Sequence, residues 1–227
     1  VDRASLKLAV ETPELYRITL NGQPVDFRNA IRWLDPHLRA APIGTLAREG
    51  RNEVRISGRP FDVHMELENI YVTGTFAAAP SGRGFRLEPA RTLAVGGWAG
   101  QGYPFYSGSV VYSARIDVPA GHSGLRIRLP EWSGSLAIVR VDGQQKALLG
   151  WPPYEATVAA PAGTHRVEIQ VVSTPRNTFG PFHNPTKPRM RAWPAAWAEF
   201  PEHQPAGAAY DVLDYGRMRP PEVAAVR

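Results

Sequence analysis

The chain has 227 residues, enough for one large or two modest domains, and 43% hydrophobic with 21% charged residues is enough for a buried core and too little charge for general disorder. No apolar run reaches the length of a membrane span, and the N-terminus lacks the basic and apolar segments of a signal peptide. Cysteine is absent, which removes disulfides and thiolate metal sites. The first residues, VDRASLKLAV, carry no Met and read as the start of a processed or excised piece.

The net charge is +5 and the pI ≈ 9.7, but the basic residues are scattered, many at alternate positions of strand-like runs such as Arg126 and Arg128. The densest run, TKPRMR at 186–191, is short and broken by proline. A nucleic-acid binder gathers its basic groups on one face or tail. The distribution therefore argues for solvated strand faces and against nucleic acid as a partner.

In chain order, apolar runs rich in Val, Ile, Leu and Tyr predict strands at 6–11, 16–21, 52–58, 69–77, 84–89, 108–118, 124–131, 136–143 and 165–173, with another in the tail at 208–216. Glycine and proline punctuate them, and no segment carries a sustained helical stripe. The spacing predicts an all-β chain of antiparallel sandwiches.

An internal repeat refines this. YRITLNGQPV (16–25) resembles IVRVDGQQKA (138–147), each a strand followed by Asn-Gly or Asp-Gly, the dipeptides of a tight hairpin. Further on, IGTLAREGRNEVRIS (43–57) parallels ATVAAPAGTHRVEIQ (156–170), each read as strand, turn and alternating strand. Two copies of one β unit are expected: residues 1–95, a first sandwich lacking early strands, and 96–227, a second sandwich with an irregular proline-rich tail.

Aromatic residues supply the candidate site. Trp98, Tyr103, Phe105 and Tyr106 cluster in sequence, with Gln101 and Asn177 as possible amide partners. Such rings stack on the C–H faces of pyranoses, or seal a sandwich end or a domain interface. Trp132 follows Glu131 at a strand end, and two prolines in LGWPPY (149–154) hold Trp151 and Tyr154, in either a recognition loop or a corner plug. Either Arg176, Asn177 and His183 form a polar cluster beside the rings, or Arg176 and Asn177 pin the WPP loop through its carbonyls.

Catalytic alternatives are thin. Glu66 and Glu68 would share a strand face, Asp211 and Asp214 lie in the tail, and Glu131 and Glu155 have no evident partner. None forms the carboxylate pair of a glycosidase. The histidines show no metal-ligand spacing, and the glycines of GGWAGQG precede neither a lysine nor a helix. No catalytic residue, cofactor or metal is expected.

Several motifs then occur in one order: Tyr106 and Gly108 ahead of a long strand, a Val141–Gly143 hairpin, the loop from Trp151 to Tyr154, and a strand closing at Thr174 and Asn177. Together they resemble a galactose-binding-like jelly-roll sandwich, and more narrowly the sugar-binding-type domains of glycoside hydrolase family 2. With NIYVTGTF before GGWAGQGYPFYSG, and with GPFHN and YDVLDYGRMRPP after it, the chain is similar over residues 15–220, most clearly 96–184, to the C-terminal region of α-L-rhamnosidase-like glycosidases of family 106. The resemblance implies a bacterial, non-catalytic accessory portion that braces an N-terminal catalytic module, outside the cytoplasm. It also implies carbohydrate contact, placed on Trp98, Gln101, Tyr103, Tyr106, Trp132, Trp151, Tyr154 and Asn177. Sandwiches of this type often carry a structural calcium, but no acidic loop here is dense enough to predict one. A composite active site shared with another chain and a protein-interaction module are the alternatives.

Overall fold

A computed structural model of the chain describes residues 1–66, 68–180, 182, 205–217 and 219–227. The fold is all-β, built from antiparallel sheets. The chain divides into two compact units, Val1–Ala77 with Leu87–Arg91, and Ala78–Arg86 with Thr92–Arg227. Residues 78–86 group with the second unit, so the division is not a single cut in the sequence.

The first unit contains β1 (Lys7–Glu11), β2 (Arg17–Leu20), β3 (Gln23–Pro24), β4 (Ile31–Trp33), β5 (Asp35–Pro42), β6 (Val54–Ser57) and β7 (Tyr71–Thr73). They form a four-stranded sheet in the order β4-β5-β1-β7 and a three-stranded sheet in the order β3-β2-β6. Leu8 and Val10 of β1 bury against Ile18 and Leu20 of β2, with Leu6, Ala41 and Ile43 completing the core. The segment 69–77, expected as one strand, is interrupted at Gly74: β7 ends there and β8 (Phe76–Ser81) begins. β8 pairs with β9 (Gly84–Pro89) as a two-stranded ribbon.

The second unit contains β10 (Gly96–Gly97), β11 (Ser109–Val118), β12 (Gly124–Arg128), β13 (Leu136–Val141), β14 (Gln144–Leu149), β15 (Glu155–Ala159) and β16 (Gly163–Val172). A short helix α1 (Arg176–Phe179), β17 (Gly216–Arg217) and β18 (Glu222–Val226) follow. One sheet runs β11-β16-β13-β14 and the other β15-β12-β18. Their inner faces close one core, with Leu125 and Ile127 of β12 against Val139 of β13 and Ile169 and Val171 of β16. The alternation of β13, buried at Ala137, Val139 and Val141, is the two-residue period of a strand with one face inward. The tail differs from expectation. Residues 208–215 form a short turn and coil ahead of β17, and the tail's longer strand is β18, which pairs Gly124↔Val226 through Arg128↔Glu222.

The repeat is visible at the level of single hydrogen bonds. Asn21-Gly22 and Asp142-Gly143 both turn at positive φ (52° and 81°; 51° and 79°), the conformation of a two-residue hairpin whose twist matches its strands. Asn21 donates its N–H to Glu53 O at 2.8 Å, and Asp142 donates to Arg166 O at 2.9 Å. In return Glu53 N–H donates to Asn21 Oδ1 at 3.0 Å, and Arg166 N–H to Asp142 Oδ1 at 2.9 Å. The registers agree too, with Leu20↔Val54 in one unit and Val141↔Val167 in the other.

The order β1–β2–β3–β5–β6–β7 thus parallels β12–β13–β14–β15–β16–β18, strand for strand and neighbour for neighbour. Two departures matter. The segment 43–47, expected as a strand, is a turn in which Leu46 and Ala47 donate to Ile43 O. The strand matching β15 is instead β5, just before it, because that is what pairs with β1. In addition, no described residue of the first unit forms a counterpart to β11, so β6 pairs with β2 alone.

Candidate functional site

The aromatic opening of the second unit folds inward. Trp98 is 1% exposed, the largest fully buried side chain of the described residues. Its indole N–H donates to Tyr112 Oη at 2.8 Å, its backbone N–H donates to Tyr215 O at 2.8 Å, and its ring meets Tyr106 at 5.8 Å and Tyr215 at 6.2 Å between centroids. Such a ring stabilises the sandwich by burial and offers no face to a ligand. Gln101, expected to offer its amide to a sugar, closes its own loop instead: Nε2 donates to Gly97 O and Ala94 O, and Oε1 accepts from Ala94 N–H.

The neighbouring rings continue this pattern. Tyr103 is partly buried against the core. Phe105 packs edge-on against Phe85 at 4.6 Å and Phe182 at 5.6 Å, and lies 5.9 Å from Tyr210. Tyr106 is exposed, but its hydroxyl donates to Ser109 O at 3.1 Å and its ring lies over Gly108. A Cβ at Gly108 would run into that ring, which is the physical content of the Tyr-x-Gly pattern.

Asn177, 1% exposed, is a staple for the backbone. Its Nδ2 donates to Leu213 O at 2.6 Å and its Oδ1 accepts from Leu213 N–H at 2.8 Å. Arg176 pairs with Asp211 at 3.3 Å with both side chains buried. Thr174 and Tyr215 share a hydroxyl hydrogen bond at 2.6 Å, and Thr178 donates to Phe105 O at 2.9 Å. The residues expected to brace the WPP loop therefore brace the tail at 211–215. The reason is that 211–215 carries backbone amides and carbonyls into the interior, where each needs a partner. His183 lies outside the described residues, as does the basic run 186–191.

What faces solvent is the loop end after β12 and β14. Trp151 is 78% exposed on the loop that leads into β15. Behind it Tyr154 meets Trp132 edge-on, 5.1 Å between centroids at 88°. The Trp132 indole N–H is buried with no acceptor among the described residues. Glu131, next to it, pairs with Arg219 at 2.8 Å on the surface. The loops that carry Trp132, Trp151 and Tyr154 thus lie at one end of the sandwich, with Trp151 exposed and the other two rings half-buried.

Among the described residues, the carboxylates singled out from the sequence have different settings. Asp214 accepts from Ala99 N–H at 3.0 Å, and Asp211 is held by Arg176. Glu66 and Glu68 lie in the connection between β6 and β7 and not on a strand; with Glu11 they line one cleft of the first unit. Burial, then the charges of Glu68 and Glu66, push the Glu11 carboxyl up.

Sequence reading missed Tyr112 and Tyr215, which hold Trp98, and Arg217, which packs over the Tyr112 ring. Arg217 lies 4.6 Å from the Tyr112 ring centroid, and burial lowers its pKa. Tyr112 sits at an inward position of a predicted strand, which was the one available signal. Tyr215 and Arg217 lie in the tail, where no periodicity marks them.

Fold and surface together define a two-unit all-β sandwich protein with an aromatic loop end. No family model and no curated protein matches the chain. Among solved structures it is similar to the rhamnosidase from Novosphingobium sp. PP1Y, at 17% identity and a TM-score of 0.40 over 98% of this chain. The chain spans 20% of the length of that protein.

Proposed function

We propose that the chain is a non-catalytic accessory portion of a glycoside hydrolase of the α-L-rhamnosidase type. It braces the catalytic module and contacts carbohydrate through Trp151. The single observation that carries this reading is the fate of the ordered motifs. Trp98, Gln101, Gly108, Thr174 and Asn177 are all spent on building the second sandwich, while Trp151 stands free. A motif set used that way belongs to a scaffold. An exposed indole beside Tyr154 and Trp132 is the chemistry that stacks on a pyranose ring. The buried Trp132 N–H, which has no acceptor among the described residues, is a donor for a hydroxyl oxygen if the loop opens.

The test is tryptophan fluorescence and calorimetric titration of the chain with rhamnose, galactose and plant oligosaccharides. The expected result is weak saturable binding that Trp151→Ala removes while leaving the unfolding midpoint unchanged. Absence of any response at tens of millimolar removes the carbohydrate contact. Turnover of an aryl-rhamnoside by the chain alone removes the non-catalytic reading.

A further inference from the structure

At the end of the first unit where β1 leads into β2, a second cleft of ≈ 560 Å³ opens between the two sheets, lined by Tyr16, Ile18, Val25, Phe27, Arg28 and Arg39 among others. Ile18 and Val25 are buried, and Tyr16 and Phe27 are partly buried against the core, so the walls are apolar and aromatic. Arg39 is the exception. It lies opposite Val10 of β1 in the ladder, on the face of β5 that looks into the sandwich, and it is half-buried.

The repeat shows what that position requires. Thr12 N–H donates to His37 O as Leu129 N–H donates to Tyr154 O, and Ile43 N–H donates to Leu6 O as Ala160 N–H donates to Ser123 O. These bonds superpose the β1–β5 ladder on the β12–β15 ladder residue for residue, and Arg39 falls on Ala156. In the second unit Ala156, Tyr154 and Trp132 pack against the core at that end. A small apolar side chain is thus enough to build the sandwich there, and the arginine of the first unit is not a packing requirement.

Nor does the chain use its charge. Among the described residues the Arg39 side chain has no hydrogen-bond acceptor and no carboxylate within ion-pair distance. Directly opposite it on β4 stands Arg32, exposed and equally without a partner among the described residues. Like charges opposite each other on one sheet face destabilise it, so the pair is held ready for an anion. The other charges at the cleft do not supply one: Arg28 is paired with Asp26 at 2.7 Å, and Glu14 is exposed at the rim. A guanidinium takes a carboxylate bidentately, and more strongly where water is partly excluded. The Tyr16 hydroxyl is occupied by the backbone of Glu66, at 2.8 Å, so Tyr16 offers its ring and not its oxygen.

We propose that this cleft binds a small ring-bearing carboxylate, with the carboxylate on Arg39 beside Arg32 and the ring against Tyr16 and Phe27. An aromatic acid and a uronic acid share that chemistry. The site uses residues of the first unit alone and does not rest on carbohydrate contact through Trp151.

The test is NMR titration of the full chain with phenylacetate and with methyl glucuronoside, read at the amides of Tyr16, Phe27 and Arg39. At least one is expected to saturate in the millimolar range, and the tighter of the two identifies the ring. The matching uncharged compound, phenylacetamide or methyl glucoside, is expected to bind about tenfold more weakly, and inorganic sulfate more weakly than the ring carboxylate at equal ionic strength. Arg39→Ala is expected to lower the affinity about tenfold with no loss in the unfolding midpoint. Where that variant is less stable, Arg32→Gln on the exposed strand carries the test, with an expected loss of about threefold. Trp151→Ala is expected to leave this binding unchanged. The proposal is overturned if neither ring carboxylate binds at tens of millimolar, as it would be if the chain itself filled the cleft. It is equally overturned if the uncharged compound or sulfate binds as well, if the arginine variant keeps the full affinity, or if Trp151→Ala removes it.

Discussion

At the scale of single residues, the same side-chain types do opposite work. Trp98 and Trp151 are both tryptophans beside turn residues, yet one is 1% and the other 78% exposed. What separates them is the company each keeps: Trp98 precedes a turn held by Asp214 and packs with Tyr112 and Tyr215, while Trp151 sits in the loop between β14 and β15. Asn177 shows the cost of a buried amide. Its replacement by Ala leaves the N–H of Leu213 without a partner and its C=O with the Tyr215 N–H alone, at 3.2 Å. Asn177→Ala is therefore expected to cost about 1–3 kcal/mol in urea unfolding, with faster exchange of the Leu213 amide. An unchanged midpoint would mean that water satisfies those groups and the tail is not held by this residue.

Among the elements, the two hairpins are the most legible pieces, because Asn-Gly and Asp-Gly specify positive φ locally. Gly143→Ala is expected to destabilise the second unit by about 1–2 kcal/mol, since Cβ crowds the carbonyl at that φ. Asp142 also accepts from His165 Nδ1 at 2.7 Å, while His165 Nε2 faces Pro161 O at 2.7 Å. These bonds raise the His165 pKa from its ordinary 6.5, and the His165 bond with that of the Arg166 N–H lowers the Asp142 pKa from 3.8. The imidazolium form stabilises the folded state at low pH, and that contribution disappears as pH rises through the raised His165 value. The carboxylate contribution is present above 3.8 and disappears as pH falls through the lowered Asp142 value. The stability gap between the native chain and His165→Gln is expected to be widest between pH 3.8 and 6.5 and to close in alkali. A gap that persists at pH 9 would assign the effect to packing.

For the whole molecule, the repeat governs what each unit can hold together. In the second unit four strands on one sheet cover three on the other, and Leu125 and Ile127 lie between them fully buried. Ile127→Ala is expected to cost about 2–5 kcal/mol, because deletion leaves a cavity that flanking strands on both sides keep from closing. The equivalent change in the first unit, Val10→Ala, is expected to cost less. Val10 lines the open cleft, and water or the side chains of the 58–66 segment can fill the space. Equal losses would argue that the first unit is as tightly closed as the second.

The sequence alone carried the all-β class, most strands and the pairing of the two copies, because strand alternation and hairpin dipeptides are local signals. It misplaced the strand before β6 and the strand of the tail. β5 runs DPHLRAAP with little alternation, and β18 is marked only by its partner β12, nearly a hundred residues away in sequence. The candidate site divided the same way. Aromatic residues at turns could be seen, but their exposure could not, since an indole has the same chemistry in a core and on a rim. Tertiary structure decided it by sending the 211–217 segment back across Trp98 and leaving Trp151 uncovered. It also left the outer edge of β6 without a partner strand among the described residues, because strand pairing is a property of neighbours and leaves no mark in the strand itself.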